Sequence, residues 1–124
     1  MRHDKYIKMC LRLIEKNKNY RYNHVAVVIK SGRIISIGYN KNEKPGKSKY
    51  SFYGSKGFHA ELSALYKLKP ESINKATLYT AAISKSGNII YSCPCPECRN
   101  LLKKYNFKEI IYCNEYGKPQ KLVI

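Results

Sequence analysis

The chain has 124 residues, and its 24 Lys or Arg residues outnumber its 8 Asp or Glu residues, which gives a formal net charge of +16 at pH 7. This length suits one domain over residues 1–124, and an apolar content of 44% excludes a disordered chain. No apolar run approaches the ~20 residues of a membrane span, and the charged N-terminus lacks a signal-peptide core. The sequence therefore predicts a cytoplasmic protein without a membrane partner.

The excess positive charge has two readings. It would attract nucleotides or nucleic acid from a distance, which makes these the expected partners. Most of the basic residues are Lys, however, and a compositionally biased genome would produce such a chain without selection for binding.

The first half of the chain predicts one helix and two strands. Apolar residues recur at helical spacing over 4–18, with a basic stripe on the outer face. β-Branched runs over 24–30 and 33–39 are separated by two residues, Ser31-Gly32, which indicates an antiparallel hairpin. Over 40–57 no period persists, so this segment is predicted to be an irregular loop.

The second half continues to alternate helix and strand. In chain order it predicts a helix over 58–68 ended by Pro70, strands over 76–84 and 89–91, a helix over 96–105, a strand over 108–113 and a last short strand over 121–124. This alternation predicts a three-layer α/β/α fold with a mixed sheet of about five strands. The last strand is expected to turn back and pair antiparallel.

The five cysteines fall into two groups. Their odd number in a chain without a secretion signal favours reduced thiols. Cys10 and Cys113 lie in apolar patterns and are predicted to be core residues. The other three lie close together in the sequence, as metal ligands do.

Two short motifs, His-Ala-Glu and Pro-Cys-Pro-Glu-Cys, supply the residues of a zinc site. His59, Cys95 and Cys98 are borderline or soft ligands, and three of them leave the fourth tetrahedral position open to water, as in a catalytic site. Glu61 is not needed as a ligand and would move protons to and from that water. Both motifs are predicted at helix starts, which would lie side by side at one edge of the sheet.

A structural zinc site is the alternative. Cys93 would then be the fourth ligand and would close the coordination shell, although its spacing from Cys95 is geometrically awkward.

The chain resembles the cytidine deaminase-like superfamily, which has this signature of zinc ligands and glutamate. The resemblance extends over about residues 20–113 and includes four further segments: Val25-Ala26-Val27-Val28, Ile37-Gly38-Tyr39-Asn40, Thr77-Leu78-Tyr79 and Ile110-Ile111-Tyr112. It implies that His59, Cys95 and Cys98 bind Zn²⁺ and that Glu61 is the proton shuttle. It also implies that the Ala60 backbone amide contacts the base and that Asn40 contacts the base or sugar, while a plain turn residue is the alternative for Asn40.

Three functions follow from these features. The leading one is hydrolytic deamination of cytosine to uracil in a nucleoside or nucleotide such as cytidine or deoxycytidylate, by hydroxide on the zinc with Glu61 as proton shuttle. The second is deamination of cytosine or adenine in single-stranded DNA or RNA, favoured by the charge and by the lysines and aromatic residues of 40–57. The third is a non-catalytic zinc module that binds nucleic acid. The resemblance adds a homo-oligomer to the expected assemblies.

Overall fold

The structure is a computed structural model that describes residues 2–16, 22–40, 59–84, 86–94 and 96–123. These contain ten elements: α1 (Arg2–Lys16), β1 (Tyr22–Lys30), β2 (Arg33–Tyr39), α2 (Ala60–Leu65), α3 (Pro70–Ile73), β3 (Thr77–Ser84), β4 (Ile89–Ile90), α4 (Pro96–Leu102), β5 (Glu109–Cys113) and β6 (Pro119–Lys121). Apart from Asn40, the predicted irregular loop lies outside the described residues.

The strands form one mixed sheet in the order β2-β1-β3-β5-β6, with β4 paired to the end of β3. Only β3 and β5 pair in parallel among the described strands, and the other pairs are antiparallel. The fold class is therefore confirmed, with six described strands rather than about five. The last strand turns back antiparallel as predicted, but it starts at Pro119, two residues earlier than expected.

The opening hairpin turns through the two predicted residues. Ser31 has φ 52° and Gly32 has φ 77°, so both central residues are left-handed, as in the tight turns that match the twist of paired strands. Glycine adopts this conformation readily, whereas Ser31 does so at a steric cost. The turn brings β1 and β2 into register from Lys30 opposite Arg33.

Alternate residues of the central strands point to opposite faces, and each face has its own apolar core. In β1, the side chains of Val25, Val27 and Ile29 pack on the α1 side. Ala26 and Val28 pack on the other side, against α2, α3 and α4. This period of two places a helical layer on each face of the sheet and confirms the three-layer arrangement.

Helix α1 is fastened to the sheet by one apolar stripe and one polar contact. Ile7, Cys10 and Ile14 are buried against the sheet, and each isoleucine contributes about 2 kcal/mol by its burial. Near its start, His3 Nδ1 lies 2.7 Å from the Tyr79 hydroxyl, and His3 Nε2 lies 3.0 Å from the Glu109 carboxylate. These contacts connect the helix to β3 and β5.

The helices on the other face are shorter than predicted. Helix α2 ends at Leu65 rather than near residue 68, and Pro70 begins the separate helix α3 instead of ending α2. Proline suits a first helical position because that position needs no intrahelical N–H donor. Helix α4 ends at Leu102 rather than near 105, because the chain tightens into turns in which Tyr105 N donates to Leu102 O.

Within the described ranges, no helix has both the length and the apolar content to cross a membrane.

The two cysteines predicted to be core residues are buried on the α1 side of the sheet. Burial, and secondarily the neighbouring Cys113, raises the pKa of Cys10 to about 12, and burial raises the pKa of Cys113 to about 11.

Iodoacetamide at neutral or mildly alkaline pH should therefore leave both thiols intact in the folded protein, while the partly exposed Cys93 reacts. Peptide mass mapping measures this, and equal labelling of Cys10 in folded and denatured protein would contradict it.

The same shifts predict a loss of stability in alkali. Because the folded state favours the neutral thiols, their contribution to the free energy of unfolding is complete below the ordinary thiol pKa of 9.0. This contribution is lost as the pH rises through about 12, the pKa of Cys10 in the folded protein.

Candidate active site

Helix α2, which carries two predicted site residues, rests directly on the backbone of β2. A Cβ atom at Gly38 would collide with the Ala60 carbonyl oxygen and with the backbone nitrogen of Ala64. Glycine is therefore required at this position, and it allows strand and helix to approach more closely than any side chain would permit.

Two hydrogen bonds fix the same helix against β2. The Ser36 hydroxyl donates to the Ala64 carbonyl at 2.7 Å, and Lys67 Nζ donates to the Ile37 carbonyl at 2.7 Å. Ser36 is buried, so this bond is shielded from competing water. The last turn of α2 and the residues after it are thus held in a fixed place relative to β2.

The structure brings His59 and Cys98 together. His59 is the residue before α2, where its carbonyl accepts from Ser63 N at 2.9 Å, and Cys98 lies in the first turn of α4. The distance from His59 Nδ1 to Cys98 Sγ is 3.3 Å. Bond lengths of about 2.0–2.1 Å to nitrogen and about 2.3 Å to sulfur put two tetrahedral zinc ligands roughly 3.5 Å apart. The pair therefore fits a zinc ion, and the two helices begin side by side as predicted.

Glu61 is buried in the first turn of α2, with 7% of its surface exposed. Burial raises the pKa of its carboxyl above the ordinary value, while hydrogen bonds from its own backbone amide and from the Cys98 thiol oppose the shift. A carboxyl group with a raised pKa accepts and releases a proton at moderate pH more readily than an exposed one. Its contact with Cys98 places it beside the candidate ligands.

The segment before α4 is secured by Ser92, a buried residue between β3 and β5. Its backbone N donates to Cys113 O at 3.0 Å, and its hydroxyl accepts from Cys113 N at 3.0 Å. Its carbonyl accepts from the Thr80 hydroxyl at 3.1 Å. These bonds attach the segment before the cysteine motif to the middle of β3 and to the end of β5, and so determine where α4 starts.

Arg99 secures the next two residues. Its Nε donates to the Pro94 carbonyl at 3.0 Å, and its Nη2 donates to Cys93 Sγ at 3.1 Å. Cys93, the alternative fourth ligand, thus has a cationic partner other than a metal.

Asn40 has a structural role at the open end of the hairpin. Its backbone N donates to His24 O at 3.3 Å, and its side-chain oxygen accepts from His24 N at 2.8 Å. Desolvation, and secondarily the nearby His59, lowers the pKa of His24 to about 4. This end of the hairpin lies near the candidate ligands, because Gly38 in β2 meets the backbone of Ala60, the residue after His59.

Of the predicted ligands, Cys95 lies outside the described residues. Across the ranges that are described, no three His, Cys, Asp or Glu side chains form a group that holds a metal. The assignment of Cys95 as the third ligand stays a prediction from the sequence.

Sequence reasoning missed His24, Ser92 and Arg99 as residues of this neighbourhood. His24 and Ser92 are ordinary strand and loop residues in the sequence, and no spacing signal marks them. Arg99 follows directly after the candidate ligand Cys98, and this position in the sequence could have identified it as a residue near the site.

Most of the chain matches one family of known proteins. Residues 1–114 match the family described as the cytidine and deoxycytidylate deaminase zinc-binding region. No curated protein matches the chain.

Solved structures of deaminases are similar to this fold. One is the dCMP deaminase from cyanophage S-TIM5 in complex with dCMP and dUMP, at 25% identity and a TM-score of 0.62, with 91% of this chain and 81% of that chain covered. Its apo form gives 24% identity and a TM-score of 0.60, with 90% and 82% covered. The cytidine deaminase from Mycobacterium leprae shares the fold at 19% identity and a TM-score of 0.56, with 93% and 88% covered.

Replacing Gly38 with alanine should displace α2, because the added methyl group meets backbone atoms that cannot move alone. We expect Gly38→Ala to lower the free energy of unfolding by about 3 kcal/mol in urea titrations and to weaken zinc binding. Arg33→Ala, an exposed change in the same strand, is the control and should cost less than about 0.5 kcal/mol. Equal stability of the two variants would contradict the close packing.

Proposed function

The chain belongs to the cytidine and deoxycytidylate deaminase family, and from this premise we propose that it is a hydrolytic deaminase that converts cytosine to uracil in a nucleoside or nucleotide. Zn²⁺ is its cofactor, in keeping with the zinc-binding region that the family description names. The observation that carries the proposal is the buried Glu61 carboxyl beside the close pair of His59 and Cys98.

We propose that His59, Cys95 and Cys98 hold the zinc ion. When bound, zinc lowers the pKa of a coordinated water from ~15.7 towards ~7 and so supplies a nucleophile at neutral pH. The 3.3 Å separation of the imidazole nitrogen and the thiol supports two of the three assignments, and the sequence motif supports the third.

Glu61 is the proposed proton carrier. Addition of water to the ring carbon and loss of ammonia require two protons to leave the water oxygen in turn, the first of which reaches the ring nitrogen and the second the departing amine. One carboxyl group can accept and deliver both protons, and the raised pKa of Glu61 suits a group that must hold a proton between the two transfers. Its burial keeps bulk water from competing for the proton.

Asn40 and Ala60 are the proposed contacts to the substrate. The bond from His24 N fixes the orientation of the Asn40 side chain at the end of the hairpin, where β2 packs against the residue after His59. Ala60 is in the first turn of α2, where backbone N–H groups lack helical acceptors and suit a polar atom of the base.

Deoxycytidylate is the substrate that we propose to test first. The solved dCMP deaminase at 25% identity is in complex with dCMP and dUMP. A net charge of +16 also favours a substrate that carries a phosphate.

The described cysteines are thiols, which supports a cytoplasmic location.

A second candidate function has one observation in its favour. The same positive charge suits single-stranded DNA or RNA, in which the chain would deaminate cytosine or adenine. The segment 41–57, with its lysines and aromatic residues, lies outside the described residues.

A substrate panel tests the proposed activity. We expect the zinc-loaded protein to release ammonia from at least one of cytidine, deoxycytidine and their monophosphates, with the highest kcat/KM for deoxycytidylate. Ammonia release and the change in ultraviolet absorbance measure the reaction. If none of the four reacts while cytosine in an oligonucleotide does, the second candidate replaces the first.

Glu61→Gln keeps the shape of the side chain but removes its ability to accept a proton. We expect kcat to fall by about a thousandfold, with zinc content and fold unchanged, because acid–base groups contribute about 10²–10⁴ in rate. Glu71→Gln, an exposed change in α3, is the matched control and should keep full activity. Full activity of the Glu61 variant would exclude its role as the proton carrier.

A further inference from the structure

A cavity lies at the other end of α4 and β5 from the candidate active site. It has a volume of about 390 Å³ and is lined by the turn after α4, by the start of β5 and by the segment that ends β6. A cavity of this size accommodates a nucleotide-sized group. The candidate ligand Cys98 lies in the first turn of α4, and four helical residues separate it from Lys103 at the cavity, a rise of about 8 Å along the helix.

The cavity is positively charged. Its lining includes three lysines, Lys103, Lys108 and Lys121, and all three are exposed. The single acidic residue in the lining, Glu109, has its carboxylate 3.0 Å from His3 Nε2, on the side of helix α1. The charge is therefore suited to phosphate groups.

Two aromatic rings form the inner wall. Tyr105 and Phe107 line the cavity, and both are half-buried against the apolar core of the α2 side. Their ring centroids are 6.0 Å apart, at an interplanar angle of 66°. Aromatic side chains next to lysines are the combination on which proteins stack unpaired bases while they bind the phosphates.

Both walls are held by backbone hydrogen bonds. In the turn after α4, Lys75 N donates to Asn106 O at 2.7 Å, and Lys108 N donates to Ala76 O at 2.8 Å. On the opposite wall, Leu122 N donates to Ile110 O at 2.8 Å. The arrangement is thus built before a ligand arrives, which lowers the entropic cost of binding.

We propose that this cavity, lined by Lys103, Tyr105, Phe107, Lys108 and Lys121, is a binding site for single-stranded nucleic acid. The lysines contact successive phosphates, and a base stacks on the aromatic wall. An acidic peptide would use the lysines but not the rings, and a duplex would keep its bases away from them. The site is separate from the proposed reaction and does not depend on it.

A charge-matched pair of double variants tests the phosphate contacts. We expect Lys108→Gln/Lys121→Gln to weaken binding of a fluorescent oligothymidylate about tenfold and to reduce the slope of log K against log salt by about 1.4, since each contact to a single strand contributes about 0.7. Lys8→Gln/Lys16→Gln removes the same charge from exposed positions of α1 and should leave the slope nearly unchanged. Equal losses in the two proteins would show diffuse electrostatic attraction and would overturn the proposal.

The aromatic wall is tested with Phe107→Leu, which keeps an apolar side chain in contact with the core. We expect this variant to bind oligothymidylate about tenfold more weakly than the unaltered protein does. An abasic strand of equal length should bind equally well to both proteins, because it has no bases to stack. Thermal unfolding of both proteins checks that the fold is kept. Equal losses for the two strands would exclude stacking.

Two competitors show which kind of molecule the cavity binds. Polyglutamate of equal charge should displace the oligomer poorly, and efficient displacement would overturn the assignment to nucleic acid. Deoxycytidylate should likewise fail to displace it, and displacement would assign the cavity to a free nucleotide. Glu61→Gln should bind the oligomer normally, so that failure of the proposed enzymatic reaction and failure of this site are separate results.

Discussion

The packing of two short helices against the sheet is the constraint on which the candidate zinc site depends. His59 and Cys98 are 39 positions apart in the chain, yet their side chains come within 3.3 Å. Neither helix is long enough to be stable alone, since α2 has six residues and α4 has seven. Packing against the sheet therefore sets where each helix starts, and the candidate zinc ligands depend on that packing.

The two helices are positioned by different means. Helix α2 lies directly on β2 because Gly38 has no side chain to keep it away. Helix α4 is positioned through its approach segment, where Ser92 bonds to β3 and β5 and Arg99 bonds to the two residues before Cys95. The candidate site is thus supported by backbone contacts under α2 and by hydrogen bonds to the segment before α4. Such support holds reactive side chains more rigidly than loops alone would.

Burial affects both the stability of the fold and the reactivity of the site. Glu61 lies in α2, whose six residues are all buried, and this burial raises the pKa of its carboxyl. The positive charge of the chain acts differently, because it attracts anionic partners from a distance. The cavity after α4 concentrates part of that charge beside two aromatic rings.

The sequence by itself determined the fold class, the opening hairpin, the buried positions of Cys10 and Cys113, and the residues of the zinc motif. These depend on local periodicity and on residue type, which the chain carries directly. Tertiary structure alone decided the helix ends, the separate helix begun by Pro70, and the roles of His24, Ser92 and Arg99. Such features depend on contacts between residues far apart in sequence, and no local pattern records which distant backbone group a side chain will meet.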